Sequence, residues 1–425
     1  MSEYSPRVLD AELDELVAAL PAIAVEGPKG VGKSATLRRR AATEFRLDEL
    51  EHRTLAEASP KTLLSAPPPV LIDEWQKVPQ VWDAVRREID EDPRTPNRYL
   101  LAGSATPQNA PTHSGAARIV TLRMRPMALS ERGIEVPTVS MASLLTGERA
   151  PVAGTTTLNL AGYAREIVRS GFPGLRHYAA RPLRAQLDGY LRQIVERDFP
   201  DEAHPVRRPD ALYRWMAAYA AATGTTASLE KIRTAATSGE GDVPAKTTSM
   251  AYRAVLERLW IVDPVWGWLP SRNLLARLTQ APKHHMADPA LAARLLGIDE
   301  RALLHGKTAT SPGDGDGMLF GRLFESLVTL SVRVYAQAAE AQVRHLRTKD
   351  GRQEVDVIVE RGDHRVVGIE VKLGATVTDH DVRHLLWLRD TLPGDVLDLV
   401  VITTGTTAYR RKDGIAVVPA SLLGP

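Results

Sequence analysis

The sequence predicts an α/β protein in three parts: a parallel-sheet domain over residues 1–136, a helical region over 155–300 and a second α/β domain over 301–425. Three observations support this organisation. An apolar run at 22–25 leads through a glycine-rich turn into a helix-forming stretch, which is typical of a parallel sheet. Helix-like segments fill the middle of the chain. Near the carboxyl end, hairpin-type turns separate three short runs of strand-forming residues.

The glycine-rich turn matches G-x-x-x-x-G-K-[ST] without a mismatch. Its glycines let several backbone N–H groups point into one concavity, and the helix that starts at Lys33 adds its positive N-terminal end. We expect a phosphate-binding loop in which Lys33 reaches the β and γ phosphates of ATP and the Ser34 hydroxyl ligates Mg²⁺. The residues expected at the nucleotide are Gly27, Pro28, Lys29, Gly30, Val31, Gly32, Lys33, Ser34 and Ala35. The alternative is a strand-to-helix turn with a chance lysine, but the order of strand, loop and helix favours the functional interpretation.

Two carboxylates follow another apolar run, in V-L-I-D-E-W-Q over 70–76. A buried parallel strand of this kind presents its acids at the carboxyl edge of the sheet, where ligands of open α/β sheets bind. We expect Asp73 to hold Mg²⁺ and Glu74 to orient and deprotonate the attacking water. Such acids also cap helices, but their place after a complete phosphate loop favours function. Between the two motifs, a short strand is predicted within 46–55.

A third apolar run, at 98–103, ends in small polar residues. Ser104 or Thr106 could sense the γ-phosphate there. Together, G-P-K-G-V-G-K-S, V-L-I-D-E-W-Q and L-L-A-G-S-A-T resemble the AAA-type ATPases. In that family a polar sensor residue ends the third strand, and the resemblance assigns this role to Ser104.

Further segments resemble one bacterial and archaeal branch of these ATPases. Residues 113–131 resemble the segment after the sensor strand, where the branch usually has Gly-Arg and this chain has Ala117 and Arg118. Arg118 is therefore a candidate phosphate-facing arginine, with an ordinary solvated arginine as the alternative. A Gly-Phe-Pro turn at 171–173 and the Glu-Arg-Asp run at 196–198 also resemble this branch.

The middle of the chain begins after a segment at 137–157 that is rich in Gly, Pro, Ser and Thr, where we place a domain boundary. Residues 208–270 read as helix, turn, helix and a short hairpin, an order that suits a winged helix-turn-helix. Its recognition helix would carry Lys246, Arg253 and Arg258, and such a helix can enter a DNA major groove. A plain packing module is the alternative.

The last hundred residues carry a second set of candidate site residues. Glu370 and Lys372 lie two apart on one strand and share a face, with Asp356 on the neighbouring strand and Glu325 on the preceding helix. Two such carboxylates could hold a divalent cation that activates water, with the lysine stabilising charge. The arrangement resembles the PD-(D/E)XK restriction-endonuclease-like fold, with Val355 in place of the motif's proline. The alternative is an exposed strand face with a Glu–Lys pair.

Composition bounds the remaining possibilities. The net charge is +2, from 54 basic and 52 acidic residues among 425, so the chain as a whole gives no nucleic-acid signal. Cysteine is absent, which excludes disulfides and is compatible with a reducing cytosol. The sequence starts without a signal-peptide pattern and has no run long enough to span a membrane. We therefore expect a cytoplasmic protein.

These observations lead to three hypotheses. In the first, a Mg²⁺-dependent ATPase controls a winged-helix and nuclease-like region that acts on DNA or RNA. In the alternative, the chain is a nucleotide-gated switch whose inactive tail binds a protein partner. A third possibility is a metal-dependent nuclease that uses ATP only for regulation. The cofactors expected are ATP, Mg²⁺ and, in the tail, a second divalent cation. A homo-oligomer, in which the partner is a further copy of the chain, is also considered.

Overall fold

The computed structural model describes residues 4–104, 116–202, 208–237, 243–270, 280–305, 318–348 and 351–425. Five parallel strands form the first sheet, in the order β2-β3-β4-β1-β5. They are β1 (Ala22–Glu26), β2 (Thr43–Arg46), β3 (Val70–Asp73), β4 (Tyr99–Gly103) and β5 (Val120–Arg123). The accompanying helices are α1 (Leu9–Ala19), α2 (Lys33–Arg38), α3 (Leu50–Ala58), α4 (Pro60–Leu64) and α5 (Gln80–Glu91). The predicted parallel sheet is confirmed.

The strand predicted within 46–55 is wrong, because β2 ends at Arg46 and α3 occupies most of that segment. The segment is rich in Leu, Glu and Arg, which favour a helix over a strand. The strand itself forms just upstream, where Thr43 and Phe45 are better strand formers.

The two faces of this sheet belong to different hydrophobic cores. Side chains alternate along β1, so Ala22 and Ala24 contact the core beneath α3 to α5, whereas Ile23 and Val25 face the opposite way. The core on that second face continues without a break into the middle of the chain and into the tail. The first domain therefore shares its hydrophobic core with the rest of the molecule.

The middle of the chain is helical. Its helices are α6 (Met141–Thr146), α7 (Leu160–Val168), α8 (Ala180–Gln193), α9 (Phe199–Glu202), α10 (Pro209–Ala221), α11 (Leu229–Ala235), α12 (Lys246–Arg258), α13 (Pro289–Leu295) and α14 (Glu300–His305). A π-helical turn, Ile194–Asp198, joins α8 to α9. The helices α10 to α12 appear in the predicted order. The predicted hairpin takes a different form, since Val262 and Val265 make isolated antiparallel bridges with Met286 and Lys283. The winged-helix assignment stays a prediction.

The tail contains an eight-stranded sheet in the order β7-β13-β14-β12-β11-β10-β9-β8. Its strands are β7 (Gly154–Thr155), β8 (Gly267–Trp268), β9 (Gln342–Arg347), β10 (Glu354–Glu360), β11 (Val366–Lys372), β12 (Val396–Thr403), β13 (Thr407–Arg410) and β14 (Ala416–Pro419). The tail's helices are α15 (Met318–Ala338) and α16 (Asp379–Thr391). As the hairpin turns predict, β9, β10 and β11 are antiparallel neighbours, and α16 then connects β11 to the parallel β12.

Strand pairing also crosses the predicted domain boundaries. β6 (Val139–Ser140) pairs with β15 (Leu423–Gly424), and β7 pairs with β13, so the segment at 137–157 lies along the tail. β8, from the middle of the chain, pairs with β9 at the other edge of the tail sheet. These pairings fix the middle of the chain against the tail through backbone hydrogen bonds.

The helix α15 lies at the centre of the shared core. It packs against α1, α7 and α13 as well as the tail strands β9 to β11. Phe324 on this helix is fully buried, and its ring meets that of Tyr163 edge to face at 5.2 Å between centroids. Among the described residues, none of the helices has the combination of length and apolar character that crossing a membrane requires.

We expect Phe324→Ala to lower the free energy of unfolding by about 3–5 kcal/mol, because truncation of a buried phenylalanine leaves a cavity. The measurement is urea unfolding followed by far-ultraviolet circular dichroism. Val136→Ala is the control, since Val136 is 81% exposed and its truncation removes little buried contact. Equal unfolding midpoints for the two variants would contradict a central role for α15.

Candidate functional site

The phosphate loop depends on glycine at three positions. Gly27, Gly30 and Gly32 have φ angles of 156°, 77° and 109°, which L side chains rarely adopt. At Gly27 the space is also closed, because a Cβ atom there would lie 2.2 Å from the carbonyl oxygen of Met124. The loop therefore needs glycine for its conformation and, at Gly27, for the close approach of the chain after β5.

Lys33 lies at the start of α2 and is 5% exposed. Its Nζ donates to the carbonyl oxygens of Gly27 at 2.8 Å and Pro28 at 3.0 Å, and to the Ser104 Oγ at 3.1 Å. Burial lowers the pKa of Lys33 to about 8, although the carboxylates of Glu74 and Asp73 act in the opposite direction. The structure thus places a buried ammonium group inside the phosphate loop.

Ser34 and Asp73 are in direct contact. The Ser34 Oγ donates to Asp73 Oδ1 at 2.8 Å, and the Glu74 backbone N–H donates to the same oxygen at 3.1 Å. Burial raises the pKa of Asp73, while the hydrogen bond from Ser34 lowers it. The hydroxyl and the carboxylate predicted to hold Mg²⁺ therefore converge, one from the first turn of α2 and the other from the end of β3.

Ser104 connects the lysine to the predicted base. Its Oγ donates to Glu74 Oε1 at 3.3 Å, and the other oxygen of Glu74 accepts from Gln76 Nε2 at 2.6 Å. Glu74 has a φ of 56°, a left-handed conformation that is strained for a residue with a side chain. Because β4 lies between β1 and β3, the residue after β4 falls between Lys33 and Glu74.

Two of the remaining predicted loop residues, Lys29 and Val31, contact other parts of the chain. Lys29 pairs with Asp198 in the π-helical turn at 2.5 Å, and its carbonyl accepts a hydrogen bond from Tyr190. The carbonyl oxygen of Val31 accepts from Arg7, and Ala35 is exposed on α2. Helix α8 and the turn after it thus hold the tip of the phosphate loop.

The structure does not bring Arg118 to the phosphate loop. In the sheet register Val120 lies beside Ile23, so Arg118 precedes the amino end of β5, whereas the loop follows the carboxyl end of β1. Its guanidinium instead donates to Asp90 at 2.8 Å and to the Ala116 carbonyl. The sequence identified Arg118 as a candidate, but it could not show that this residue lies at the edge of the sheet opposite the phosphate loop. Thr106, the other sensor candidate, lies outside the described residues.

A buried carboxylate that the sequence analysis missed lies beside this site. Asp263 contacts Arg123 at 3.0 Å, Arg125 at 3.2 Å and Arg333 at 2.8 Å. Burial alone would raise the pKa of Asp263, but the three guanidinium groups hold it well below its usual range. Arg123 is the last residue of β5 and Arg125 follows two residues later, and this spacing of two residues was the available sequence signal.

The four predicted tail residues do meet in one cluster, with Lys283 as an unpredicted member. Lys283 Nζ lies 2.8 Å from Glu325 Oε1 and 3.1 Å from Asp356 Oδ1. Lys372 donates to Glu370 at 2.7 Å. In the described part of the chain, no group of three or more His, Asp or Glu side chains is arranged to hold a metal ion.

Comparisons with known proteins assign the first of the three parts. Residues 20–132 match the family model described as an AAA domain. Residues 160–302 and 320–423 match two domains of unknown function, DUF8612 and DUF4143. None of the curated proteins matches the chain.

Among solved structures, the chain is similar to one in a half-complex from a tetradecameric assembly of Thermococcus gammatolerans McrB AAA+ hexamers with bound McrC. The identity is 13%, the match covers 53% of this chain and 72% of that chain, and the TM-score is 0.16. A TM-score this low supports no conclusion about the present fold. The family match and the geometry of the phosphate loop both support an AAA-type ATPase domain at residues 20–132.

Proposed function

We propose that this domain hydrolyses ATP and that its nucleotide state controls the C-terminal part of the chain. The observation that carries the first half is the hydrogen-bonded series Lys33, Ser104 and Glu74. It joins a cation in the phosphate loop to a carboxylate through a hydroxyl at the end of β4. A loop that only bound phosphate would not require that connection.

The residues beside this series fit a magnesium ion. Mg²⁺ takes oxygen ligands, and the Ser34 hydroxyl on α2 and the Asp73 carboxylate at the end of β3 supply two of them. When bound, the ion neutralises charge that develops on the transferred phosphoryl group. Asp73 also accepts the backbone N–H of Glu74, so the ligand and the proposed base are held in register.

Lys33 and Glu74 have separate roles in the proposed reaction. Lys33 donates to two loop carbonyls and a hydroxyl, and phosphate oxygens are stronger acceptors for an ammonium group than these neutral oxygens. Glu74 orients the attacking water and removes its proton. Ser104 contacts both groups, so its hydroxyl is placed to respond to the presence of the γ-phosphate.

A continuous set of polar contacts supports the second half of the proposal. Arg7 donates to the carbonyls of Val31 in the loop and Arg125 after β5, at 2.8 and 2.6 Å. The Arg125 side chain contacts Asp263, which in turn pairs with Arg333 on α15. These four contacts connect the phosphate loop to the central helix.

The same helix contacts the chain after β5 at a second place. The backbone N–H groups of Leu129 and Ser130 donate to Ser331 and Tyr335 on α15, at 3.1 and 3.0 Å. A movement of the loop and of the segment after β5 would therefore act on α15 from two points. Since α15 packs against β9 to β11, a movement of α15 would be transmitted to the tail sheet.

For the target of this control we favour a protein partner over nucleic acid. The overall charge is nearly balanced. On α12, Arg253 is held by Glu257 of the same helix at 2.7 Å and lies over the Trp266 ring. An arginine engaged in this way is a weaker phosphate contact than an unpaired one. DNA binding by α12 and assembly into homo-oligomers stay predictions.

We expect Lys33→Ala to lose nucleotide binding and Glu74→Gln to bind ATP but hydrolyse it about 10²–10⁴-fold more slowly, because it lacks the general base. Binding is measured by calorimetry and turnover by phosphate release. Glu57→Gln is the matched control, since Glu57 is exposed on α3 and should leave turnover unchanged. Wild-type turnover in either site variant would refute the assignment.

Nucleotide affinity should fall at alkaline pH. Lys33 is charged below its pKa of about 8 and neutral above it, so its attraction for phosphate is present at pH 7 and is lost as the pH rises. We expect the Kd for Mg-ADP to rise about tenfold between pH 7 and pH 9. Lys33→Met should bind weakly with no such pH dependence. A constant wild-type Kd across this range would show that Lys33 does not carry the effect.

The coupling can be tested at Asp263. In the wild type we expect an ATP analogue to change hydrogen exchange in α15 and β9 to β11. Asp263→Asn should remove this response and lower the free energy of unfolding by about 3–5 kcal/mol, because it leaves buried arginines without a counter-charge. Nucleotide affinity should change little, since Asp263 does not contact the phosphate loop.

Asp90→Asn is the control for that experiment, because it removes the counter-charge of Arg118 at the other edge of the sheet. It should keep the exchange response. A nucleotide-dependent response that persists in Asp263→Asn would rule out this route.

A further inference from the structure

Lys283 occupies the centre of the acidic cluster in the tail. Three carboxylates from two elements surround its ammonium group: Glu325 on α15 at 2.8 Å, Asp356 on β10 at 3.1 Å and Glu354 on β10 at 3.6 Å. The side chain is 2% exposed. An ammonium group has three N–H donors, so it can address all three carboxylates.

The backbone fixes Lys283 in this place. Its N–H donates to the Val265 carbonyl at 2.8 Å, and its own carbonyl accepts from the Val265 N–H at 2.9 Å. The next residue, His284, donates its N–H to the Thr225 carbonyl. Backbone hydrogen bonds to Val265 and Thr225 therefore hold the segment that carries Lys283, so the position of the lysine does not depend on its side chain alone.

The electrostatics match this placement. Burial alone would lower the pKa of Lys283, but Glu325, Asp356 and Glu354 raise it well above its usual range. Burial would raise the pKa of Asp356, but Lys283 and the Val371 N–H, which donates at 2.9 Å, lower it. The charged lysine and the charged aspartate thus stabilise each other inside the protein.

The carboxylate of Glu370 lies at the edge of this cluster and is only partly satisfied. One oxygen accepts from Lys372, whereas its buried Oε2 has no hydrogen-bond partner among the described residues. Burial, together with the charge of Asp356, raises the pKa of Glu370 to about 8.

A divalent cation and the Lys283 ammonium group would compete for one position. Mg²⁺ lies about 2.0–2.1 Å from its oxygen ligands. The Glu325 and Asp356 oxygens that would bind it both point at Nζ. A cation bound to these two oxygens would take the place of the ammonium group, which already supplies positive charge to the carboxylates.

We propose that Lys283 is a built-in counter-cation of the Glu325, Asp356 and Glu370 cluster, and that it keeps this cluster from binding the divalent metal ion on which nuclease chemistry would depend. The residues of the tail therefore do not fit the second cation that the sequence predicts. The tail is a packing and interaction domain that retains the acidic residues without the metal.

The test is Mn²⁺ titration calorimetry on nucleotide-free, full-length protein. Wild type and Asp356→Asn should give the same heat, with no metal site that depends on Asp356. Lys283→Met, which keeps the length of the side chain but removes its charge, should gain one Mn²⁺ per chain. That gain should be lost again in Lys283→Met/Asp356→Asn.

Two results would overturn the proposal: a wild-type Mn²⁺ site that Asp356→Asn removes, or a folded Lys283→Met that gains no site. Circular dichroism establishes whether the variant is folded. If Lys283→Met does not fold, the test rests on the Mn²⁺ titrations of wild type and Asp356→Asn, where a metal site present only in wild type overturns the proposal. Loss of ATP hydrolysis in Glu57→Gln or retention of it in Glu74→Gln would affect only the proposed function, so the two proposals fail separately.

Discussion

The carboxylate of Asp263 holds together arginines that come from two distant parts of the chain. Arg123 ends the last strand of the ATPase sheet and Arg125 follows it, whereas Arg333 belongs to the central helix of the tail. Burial lowers the pKa of Arg333 to about 9, whereas the Asp263 carboxylate acts in the opposite direction. Buried charges are costly unless paired, so Asp263 stabilises the contact between the two parts in addition to their shared hydrophobic core.

The second buried ion cluster lies on the neighbouring backbone. The Asp263 N–H donates to the His285 carbonyl, and Val265 and Lys283 exchange both of their backbone hydrogen bonds. The two bridges therefore carry an anion that binds arginines near the ATPase sheet and a cation that binds carboxylates in the tail. This short antiparallel pair has charged contacts on both sides, and it links the ATPase domain, through Asp263 on one segment, to the acidic cluster, through Lys283 on the other.

Several elements of the fold were accessible from the sequence because their signals are local. The phosphate loop, the acids after β3 and the hydroxyl after β4 each follow an apolar strand, and the parallel order brings the three strand ends together. The antiparallel strands β9 to β11 were likewise predicted from hairpin turns. The strand expected within 46–55 was misplaced by a few residues, because a short polar segment has no periodicity strong enough to separate strand from helix.

The sequence by itself determined which residues can do chemistry near the phosphate loop, since glycine conformations, strand ends and a helix start are set by neighbouring residues. Only the tertiary structure decided which charges meet. Lys283 and Asp356 are 73 residues apart, and Arg125 and Asp263 are 138 apart, so neither contact leaves a local pattern. For Arg118 the sequence suggested a contact that does not form, because the register of β5 places this residue at the edge of the sheet opposite the loop. The sequence shows that a side chain is charged but not which group it contacts, and a buried charge is stable only beside a suitable partner.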